Sequence, residues 1–310
     1  MSLPFRGRLS SLAVDPIEKK PLYHYLPGTQ VLSVGFFGCN MRCPFCQNWS
    51  IAQETDPSAE VFSPGRVVQA ALEGGHPSLA FTYSEPCVHF EYVLETARLA
   101  KEEGLKTVLV TNGYLDEGPA RELLPAIDAA NVDLKCFSEA AYRGVLGGGL
   151  APVQRFLELA AATCHLEVTT LVVPGLSDDT EQVRQIAAFI HRLDPDIPLH
   201  LSAYHPAWRQ HEPATRASLV EDLAETAREN LRYVYVGNLA GVDQDSYCPV
   251  CGERLIRREG YSTRILGLET LPPTVAGEGR LEERHVAKSR CKACRTELPF
   301  ILSAAGAARA

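Results

Sequence analysis

Apolar, β-branched runs and helical periods alternate along most of the chain. Seven runs read as strands: "VLSVGFF" (31–37), "LAFTY" (79–83), "TVLVT" (107–111), "NVDLK" (131–135), "LEVTTLVV" (166–173), "LHLSAY" (199–204) and "YVYVG" (233–237). After the first, they recur at the spacing of a strand-plus-helix unit, roughly every 25 to 35 residues. Between them, Phe90, Val93, Leu94, Ala97 and Ala100 follow the i, i+3, i+4, i+7 spacing of an amphipathic helix, with Gly104 where a C-cap belongs. Val183, Ile186, Ala187, Ile190 and Leu193 repeat the pattern. Ser177, Asp178 and Asp179 precede them as N-cap and first-turn acids.

Near-continuous apolar strands alternating with amphipathic helices imply a parallel sheet covered by helices. Six or seven such units suit an α/β fold, a partial or full (β/α) barrel over residues 29–240, although a doubly wound open sheet has the same periodicity. The first 28 residues, with Pro4, Pro16, Pro21 and Pro27, read as an extended arm wrapping the barrel. Beyond residue 240 the alternation stops. Residues 241–303 are turn-rich and bracketed by two CxxC pairs, so they read as a small zinc-ribbon-like domain with a four-cysteine metal site, and 304–310 as a tail. "LGGGL" (146–150) lacks the strand-to-helix context of a nucleotide fingerprint and reads as a flexible loop.

The chemically distinctive residues gather at one end of these strands. "GCNMRCPFC" follows the first strand, "SEP" the second and "TNG" the third; Asp133 and Lys135 end the fourth, "PGL" follows the fifth, "YHP" closes the sixth and "GN" the seventh. Parallel α/β enzymes build their sites from loops at the C-terminal ends of strands. The series therefore marks a candidate active-site end.

Composition narrows the classes. The chain has 310 residues, 45% of them hydrophobic and 22% charged, ordinary for a globular protein with a buried core. A net charge of -8 argues against an extended nucleic-acid face. The N-terminus lacks the basic-then-apolar pattern of a secretory signal, and no run reaches the ~18 apolar residues of a membrane span. A cytoplasmic location with no membrane partner is the expectation. In that reducing compartment, ten cysteines point to metal ligation or redox chemistry more than to disulfides.

Seven of the ten fall into clusters. Cys39, Cys43 and Cys46 form CxxxCxxC. Zinc takes four protein ligands when structural and three plus water when catalytic, whereas a [4Fe–4S] cluster normally takes four thiolates. Three thiolates in one loop can hold three corners of a cubane and leave one iron open to a small molecule. A zinc site with a remote fourth ligand, or a disulfide beside a free thiol, are the alternatives. Cys248 and Cys251 ("CPVC") and Cys291 and Cys294 ("CKAC") make two knuckles of a four-thiolate site. Zn2+ is expected there, with rubredoxin-like iron or a second iron–sulfur cluster as competitors. Cys87, Cys136 and Cys164 stand alone and read as small buried apolar residues.

CxxxCxxC with an aromatic before its last cysteine, just after a first strand, resembles the radical S-adenosylmethionine superfamily. "GCNMRCPFCQNWSIAQ", "FTYSEPCVHFEY", "VTNGYL", "DLKCF", "TTLVVPGLSDD" and "YCPVCGERLIRREGY" together resemble a branch related to pyruvate formate-lyase activating enzyme, the radical enzymes of the AmmeMemoRadiSam system. The resemblance implies a [4Fe–4S] cluster on Cys39, Cys43 and Cys46 whose open iron binds S-adenosylmethionine. One electron then cleaves a carbon–sulfur bond to give a 5′-deoxyadenosyl radical, which abstracts hydrogen from a substrate. That substrate would be a glycyl-radical-type protein, a small molecule or a nucleotide; cleavage of a different carbon–sulfur bond, with aminocarboxypropyl transfer, is the alternative within the superfamily.

Residue roles follow from the same resemblance. Phe45 would pack by the adenine. Ser84 and Glu85 match a GGEP segment that holds the cofactor's amino group, with Tyr83 and Ser84 replacing its glycines. Thr111 and Asn112 match "TNG", and Val110 stands where activating enzymes carry an aspartate of a monovalent-cation site. Asp133 and Lys135 match "DLK", facing cofactor and substrate, and His205 would sit over the adenosyl group, with Asn238 a weaker candidate. Lys135 and His205 are the catalytic candidates. Implied partners are an electron donor of flavodoxin or ferredoxin type and the Memo-type and AMMECR-type proteins of the same system. A non-catalytic zinc-ribbon interaction protein is the reading from another class, and it leaves the strand-end series without a role.

Overall fold

The computed structural model describes residues 6–271 and 286–303. The tail at 304–310 and the first five residues of the N-terminal arm lie outside the described residues. One sheet holds eight strands in chain order: β1 (Leu9–Pro16), β2 (Gln30–Phe36), β3 (Ser78–Thr82), β4 (Lys106–Thr111), β5 (Ala129–Asp133), β6 (His165–Val172), β7 (Leu199–Ala203) and β8 (Val234–Gly237). β1 runs antiparallel to β2, and every later neighbouring pair is parallel. The helices between them are α1 (Trp49–Gln53), α2 (Pro64–Glu73), α3 (Phe90–Glu102), α4 (Glu117–Leu123), α5 (Glu139–Ala141), α6 (Leu150–Thr163), α7 (Thr180–Leu193) and α8 (Ala217–Arg228). A doubly wound sheet reverses its strand order at a switch point; this sheet never does. Among the described residues no ladder joins β8 to β1, so the barrel is partial.

The two faces of the sheet differ in kind, because side chains along a strand alternate sides. On the outer face Phe36, Phe81, Leu109, Val132, Val168 and Leu201 share one core with Val93, Phe156, Ile186 and Val220 of the helices. Asp179 caps α7 by accepting from the Gln182 N–H, and Ser63 caps α2 by accepting from Arg66. On β5, β6 and β7 the inner face carries polar residues: Asn131 and Asp133, Glu167 and Thr169, His200 and Ser202 alternate with the apolar outer set. Near-continuous apolar strands therefore describe only part of the sheet.

The N-terminal segment fills this polar interior. Ile17, Leu22, Tyr25 and Leu26 pack against the inward residues Val31, Ala80, Val108 and Ala129. The stretch read as an arm wrapping the barrel instead contributes an edge strand and then plugs it, because its apolar residues gain more burial inside than on the surface. Glu167 holds the plug. Its fully buried carboxylate accepts from the backbone N–H of Tyr23 (3.0 Å) and His24 (2.7 Å), and from His200 (2.7 Å) and His165 (3.1 Å). His24 then meets the Tyr235 hydroxyl at 2.8 Å, and Tyr235 meets Ser246 at 2.6 Å.

The C-terminal module sits against the same plug. Its two three-stranded sheets comprise β9 (Ser246–Tyr247), β10 (Arg254–Glu259) and β11 (Ser262–Ile265), then β12 (Leu268–Thr270), β13 (Val286–Cys291) and β14 (Glu297–Ser303). Phe300, Leu298, Leu255 and Ile256 share a core with Tyr23, Tyr233 and Tyr235. Ile301 exchanges backbone hydrogen bonds with the plug, donating to His24 O (2.7 Å) and accepting from Leu26 N–H (2.8 Å). The Arg258 guanidinium lies 4.2 Å from the Tyr23 ring centroid and donates to Tyr23 O and Ser246 Oγ.

Burial opposes the charge on Glu167, but the bonds from His165 and His200 outweigh it and hold the carboxyl well below its ordinary range. A carboxyl depressed in the folded state stabilises that state above its unfolded value of about 4.3, and the contribution is lost as pH falls through and below that value. Replacing Glu167 by Ala should lower the unfolding free energy by about 3–5 kcal/mol at neutral pH, since it orphans buried donors. Urea titrations of the two proteins should show that gap narrowing as pH drops below about 4.

Candidate active site

A cavity of about 330 Å³ opens at the C-terminal ends of the strands. Cys39, Cys43, Phe45 and Cys46 line it from the loop after β2, Tyr83 and Ser84 from the end of β3, and Thr111 and Asn112 from the end of β4. Asp133 and Lys135 line it after β5, Thr169 and Ser202 from the inner faces of β6 and β7, and Asn238 after β8. Lys19 and Pro21 reach it from the plug. The interior segment that closes the barrel thus supplies part of the cavity wall.

The cysteine loop is held from three sides. Cys46 N–H bonds Cys43 O (3.1 Å), Arg42 N–H bonds Leu146 O (2.8 Å), and Arg209 N–H, from the segment after β7, bonds Pro44 O (2.9 Å). The triple glycine is part of this support. A side chain at Gly148 would come within 2.9 Å of Met41 Cε, so the stretch read as a flexible loop packs against the cysteine loop.

Tyr83 and Ser84 occupy the left-handed region in succession, with φ of 53° and 62°. Each such non-glycine residue costs on the order of 1–3 kcal/mol. Specific bonds hold both. The Tyr83 hydroxyl donates to Asp15 Oδ2 (2.8 Å) and lies 3.2 Å from Lys20 Nζ, whose ammonium sits 4.3 Å from the Tyr83 ring centroid. Ser84 Oγ donates to Gly38 O, which also accepts from Glu85 N–H at 3.3 Å. Burial works against the Asp15 carboxylate, but bonds from Lys19 and Lys20 hold it below its ordinary range.

Glu85 departs from its expected role. Its carboxylate is fully buried, does not line the cavity, and accepts from Thr111 Oγ1 (2.6 Å), Asn112 N–H (2.8 Å) and Cys87 N–H (3.0 Å). Burial pushes its carboxyl up, against those bonds. The Glu85 carboxylate therefore braces the "TNG" turn. Gly113 completes that turn at φ 68°, where a Cβ would stand 2.9 Å from Val132 Cγ1. His205 departs as well: it is exposed, does not line the cavity, and its Nε2 lies 3.1 Å from Asn238 O. Asn238, the weaker candidate in sequence, is the one inside.

Lys135 and Asp133 form an ion pair at 2.9 Å on the cavity wall. Burial opposes the Lys135 charge, but the Asp133 carboxylate outweighs it, and the amine is held above its ordinary range. Burial also pushes the Cys39 thiol up to about 12, with Glu85 adding to the shift. Val110 lines the cavity, so the β4 end carries no carboxylate at the expected cation position.

The two cysteine groups differ in geometry. The thiols of Cys248, Cys251, Cys291 and Cys294 all lie within 4.8 Å of one another, with Cys248–Cys294 at 3.6 Å and Cys251–Cys291 at 3.7 Å. A tetrahedral ion with metal–sulfur bonds of ~2.3 Å has sulfur–sulfur edges of roughly 3.8 Å. Four thiols this close fit a single ion. Cys39, Cys43 and Cys46 line one cavity from a single loop. Three thiolates on one loop suit three corners of a cubane and leave one iron open to a small molecule.

Over residues 34–190 the chain matches the Radical SAM superfamily. It is 36% identical over 304 residues to an uncharacterised protein of Methanocaldococcus jannaschii, covering 96% of this chain and 85% of that one. The chain belongs to the radical SAM superfamily and is a radical SAM enzyme. Within it, the chain is homologous to pyruvate formate-lyase activating enzymes: identity with that of Clostridium pasteurianum is 26% over 184 residues, 57% of this chain and 77% of the relative. In fold it is similar to Streptococcus suis SuiB bound to S-adenosylmethionine, with a TM-score of 0.54 at 15% identity, covering 70% of this chain and 50% of that one. Membership implies a [4Fe–4S] cluster, S-adenosylmethionine and a reductant. No described helix is long and apolar enough to cross a membrane.

Motif reading missed Lys19, Pro21, Thr169 and Ser202. The family match starts after β1 and the plug, so Lys19 and Pro21 had no motif to carry them. The signal for Thr169 and Ser202 was the polar period of two in β6 and β7. Two measurements follow. Glu85→Ala should destabilise the metal-free chain by about 2–3 kcal/mol in chemical denaturation, an effect a pure ligand contact would not have. Cys291→Ser should remove one metal equivalent by elemental analysis while leaving metal uptake at the Cys39–Cys46 loop unchanged.

Proposed function

We propose that Cys39, Cys43 and Cys46 ligate a [4Fe–4S] cluster, that S-adenosylmethionine binds in the adjoining cavity, and that the enzyme abstracts a hydrogen atom from its substrate. The observation that carries this reading is convergence: three thiols of one loop share one cavity with Ser84, Thr111, Asn112, Asp133 and Lys135. When bound, the reduced cluster and S-adenosylmethionine supply a 5′-deoxyadenosyl radical. The chain's own residues bind, orient and exclude. Lys135, kept protonated by Asp133, offers a fixed cation to an anionic group. Phe45 provides an apolar wall suited to adenine. Ser84, Thr111 and Asn112 line the cavity at the turns that Glu85 holds in place. Beneath them the plug seals the barrel against water, which a primary carbon radical requires.

The relation to activating enzymes supports a protein substrate of glycyl-radical type, with a small molecule or nucleotide as the competing class. A flavodoxin- or ferredoxin-type donor, action alongside Memo-type and AMMECR-type proteins, and a cytoplasmic location complete the proposal. For the C-terminal module we propose zinc. The 3.6 and 3.7 Å sulfur separations suit one tetrahedral ion, and a redox-silent ion suits a module whose own core is small.

The test is anaerobic: reconstitute the cluster, reduce with dithionite, add S-adenosylmethionine and identify products by mass spectrometry. 5′-Deoxyadenosine should form with the wild-type chain and fall to background with Cys43→Ala. Methylthioadenosine instead would replace hydrogen abstraction by aminocarboxypropyl chemistry. A chain that cannot take up iron at the loop overturns the proposal.

A further inference from the structure

Cys39 differs from a bare thiolate ligand in what surrounds its sulfur. Two N–H groups point at Cys39 Sγ: the backbone N–H of Met41 at 3.4 Å and the side-chain amide of Asn112 at 3.6 Å. The first belongs to the cysteine's own loop. The second arrives from the end of β4, across the barrel mouth, and sequence reading gave Asn112 a different task.

The orientation of the Asn112 amide is over-determined. Its Oδ1 accepts from the Tyr114 N–H at 2.8 Å, so the NH2 group must face the other way. One of its hydrogens goes to Asn40 Oδ1 at 2.9 Å and the other is left for Cys39 Sγ. The Asn112 backbone is itself fixed by its N–H to Glu85 Oε2 at 2.8 Å. Asn112 itself is 5% exposed and Glu85 fully buried, while Cys39 is half-buried and Asn40 faces solvent.

We infer that Asn112 is a positioning residue that sets the reduction potential of the cluster through its amide donor to Cys39. The inference rests on the cluster reading above. Adding an electron to an iron–sulfur cluster increases the negative charge on its ligand sulfurs, and an N–H donor stabilises that charge. The Asn112 donor therefore raises the potential and brings the cluster within reach of a biological reductant. Glu85 acts one step further out by fixing where that donor stands. A single buried carboxylate thus connects the β3 turn to the electronic state of the Cys39 ligand.

The experiment is a redox titration of the reconstituted full chain, followed by the electron paramagnetic resonance of the reduced cluster. In Asn112→Ala the midpoint should move to lower potential. At the wild-type midpoint its ratio of reduced to oxidised cluster should fall about three- to tenfold, the worth of one hydrogen bond. Asn40→Ala keeps the donor to Cys39 and should titrate with the wild type. An Asn112→Ala cluster of full iron content with an unchanged midpoint overturns the inference, as does an equal shift in Asn40→Ala. Should Asn112→Ala not load, the near-isosteric Asn112→Leu, which also lacks the donor, is titrated in its place: a lower midpoint is expected, and an unchanged one overturns the inference. Failure of the wild-type chain to load a cluster is a separate outcome, which removes the proposed function itself.

Discussion

A fully buried carboxylate, that of Glu167, lies inside this barrel. Isolated there, Glu167 would cost far more than a folded chain can offset. It is tolerated because four N–H donors converge on it, two from the backbone of the N-terminal segment and two from histidines of β6 and β7. That requirement fixes the architecture around it. The segment must enter the barrel for the backbone donors to reach, and once inside it fills the space that layers of branched side chains occupy in a complete barrel. Its upper surface then becomes part of the cavity wall, through Lys19 and Pro21.

Glu85 repeats the principle at the other end of the strands. It too is fully buried, and it too is satisfied by its neighbours. The two acids divide the scaffold: Glu167 ties the plug to β6 and β7, and Glu85 ties the β3 turn to the β4 turn. Tyr83 and Ser84 show what such ties permit. Two successive left-handed residues are costly, yet bonds to Asp15 and Gly38 keep them in place at the cavity wall. Polar residues of this protein therefore serve first to place the backbone, and only some of them face the cavity.

The seven parallel strands and the cysteine groups were legible in the sequence because their signals are local, whereas the six strands of the turn-rich C-terminal module were not. A run such as "TVLVT" or a spacing such as CxxxCxxC is complete within ten residues. β1 was missed because "LSSLAVDP" is one antiparallel edge strand, with no apolar run to distinguish it from an extended arm. The prolines beside it suggested exposure, while the apolar set Ile17, Leu22 and Leu26 in fact records burial. Motif matching located Glu85 and His205 along the chain but could not say where their side chains point. One turns into the scaffold, and the other is exposed and meets the Asn238 carbonyl. The bond from Arg258 to Tyr23 spans 235 residues, and no local pattern carries such a contact.

The course of the plug has a consequence for how the chain is made. Residues 17–26 leave the ribosome before any parallel strand exists, yet their partners arrive last: Tyr235, Arg258 and Ile301 are translated near the end. Pairings this distant in sequence form slowly, because the loop-closure entropy must be met before the contacts return it. During synthesis the helices and early strands can assemble while the apolar plug and the polar interior both wait unpartnered. The nascent barrel is thus an unsealed vessel until the C-terminal module emerges. A truncation within that module would release a chain with most of its strands present and its interior open.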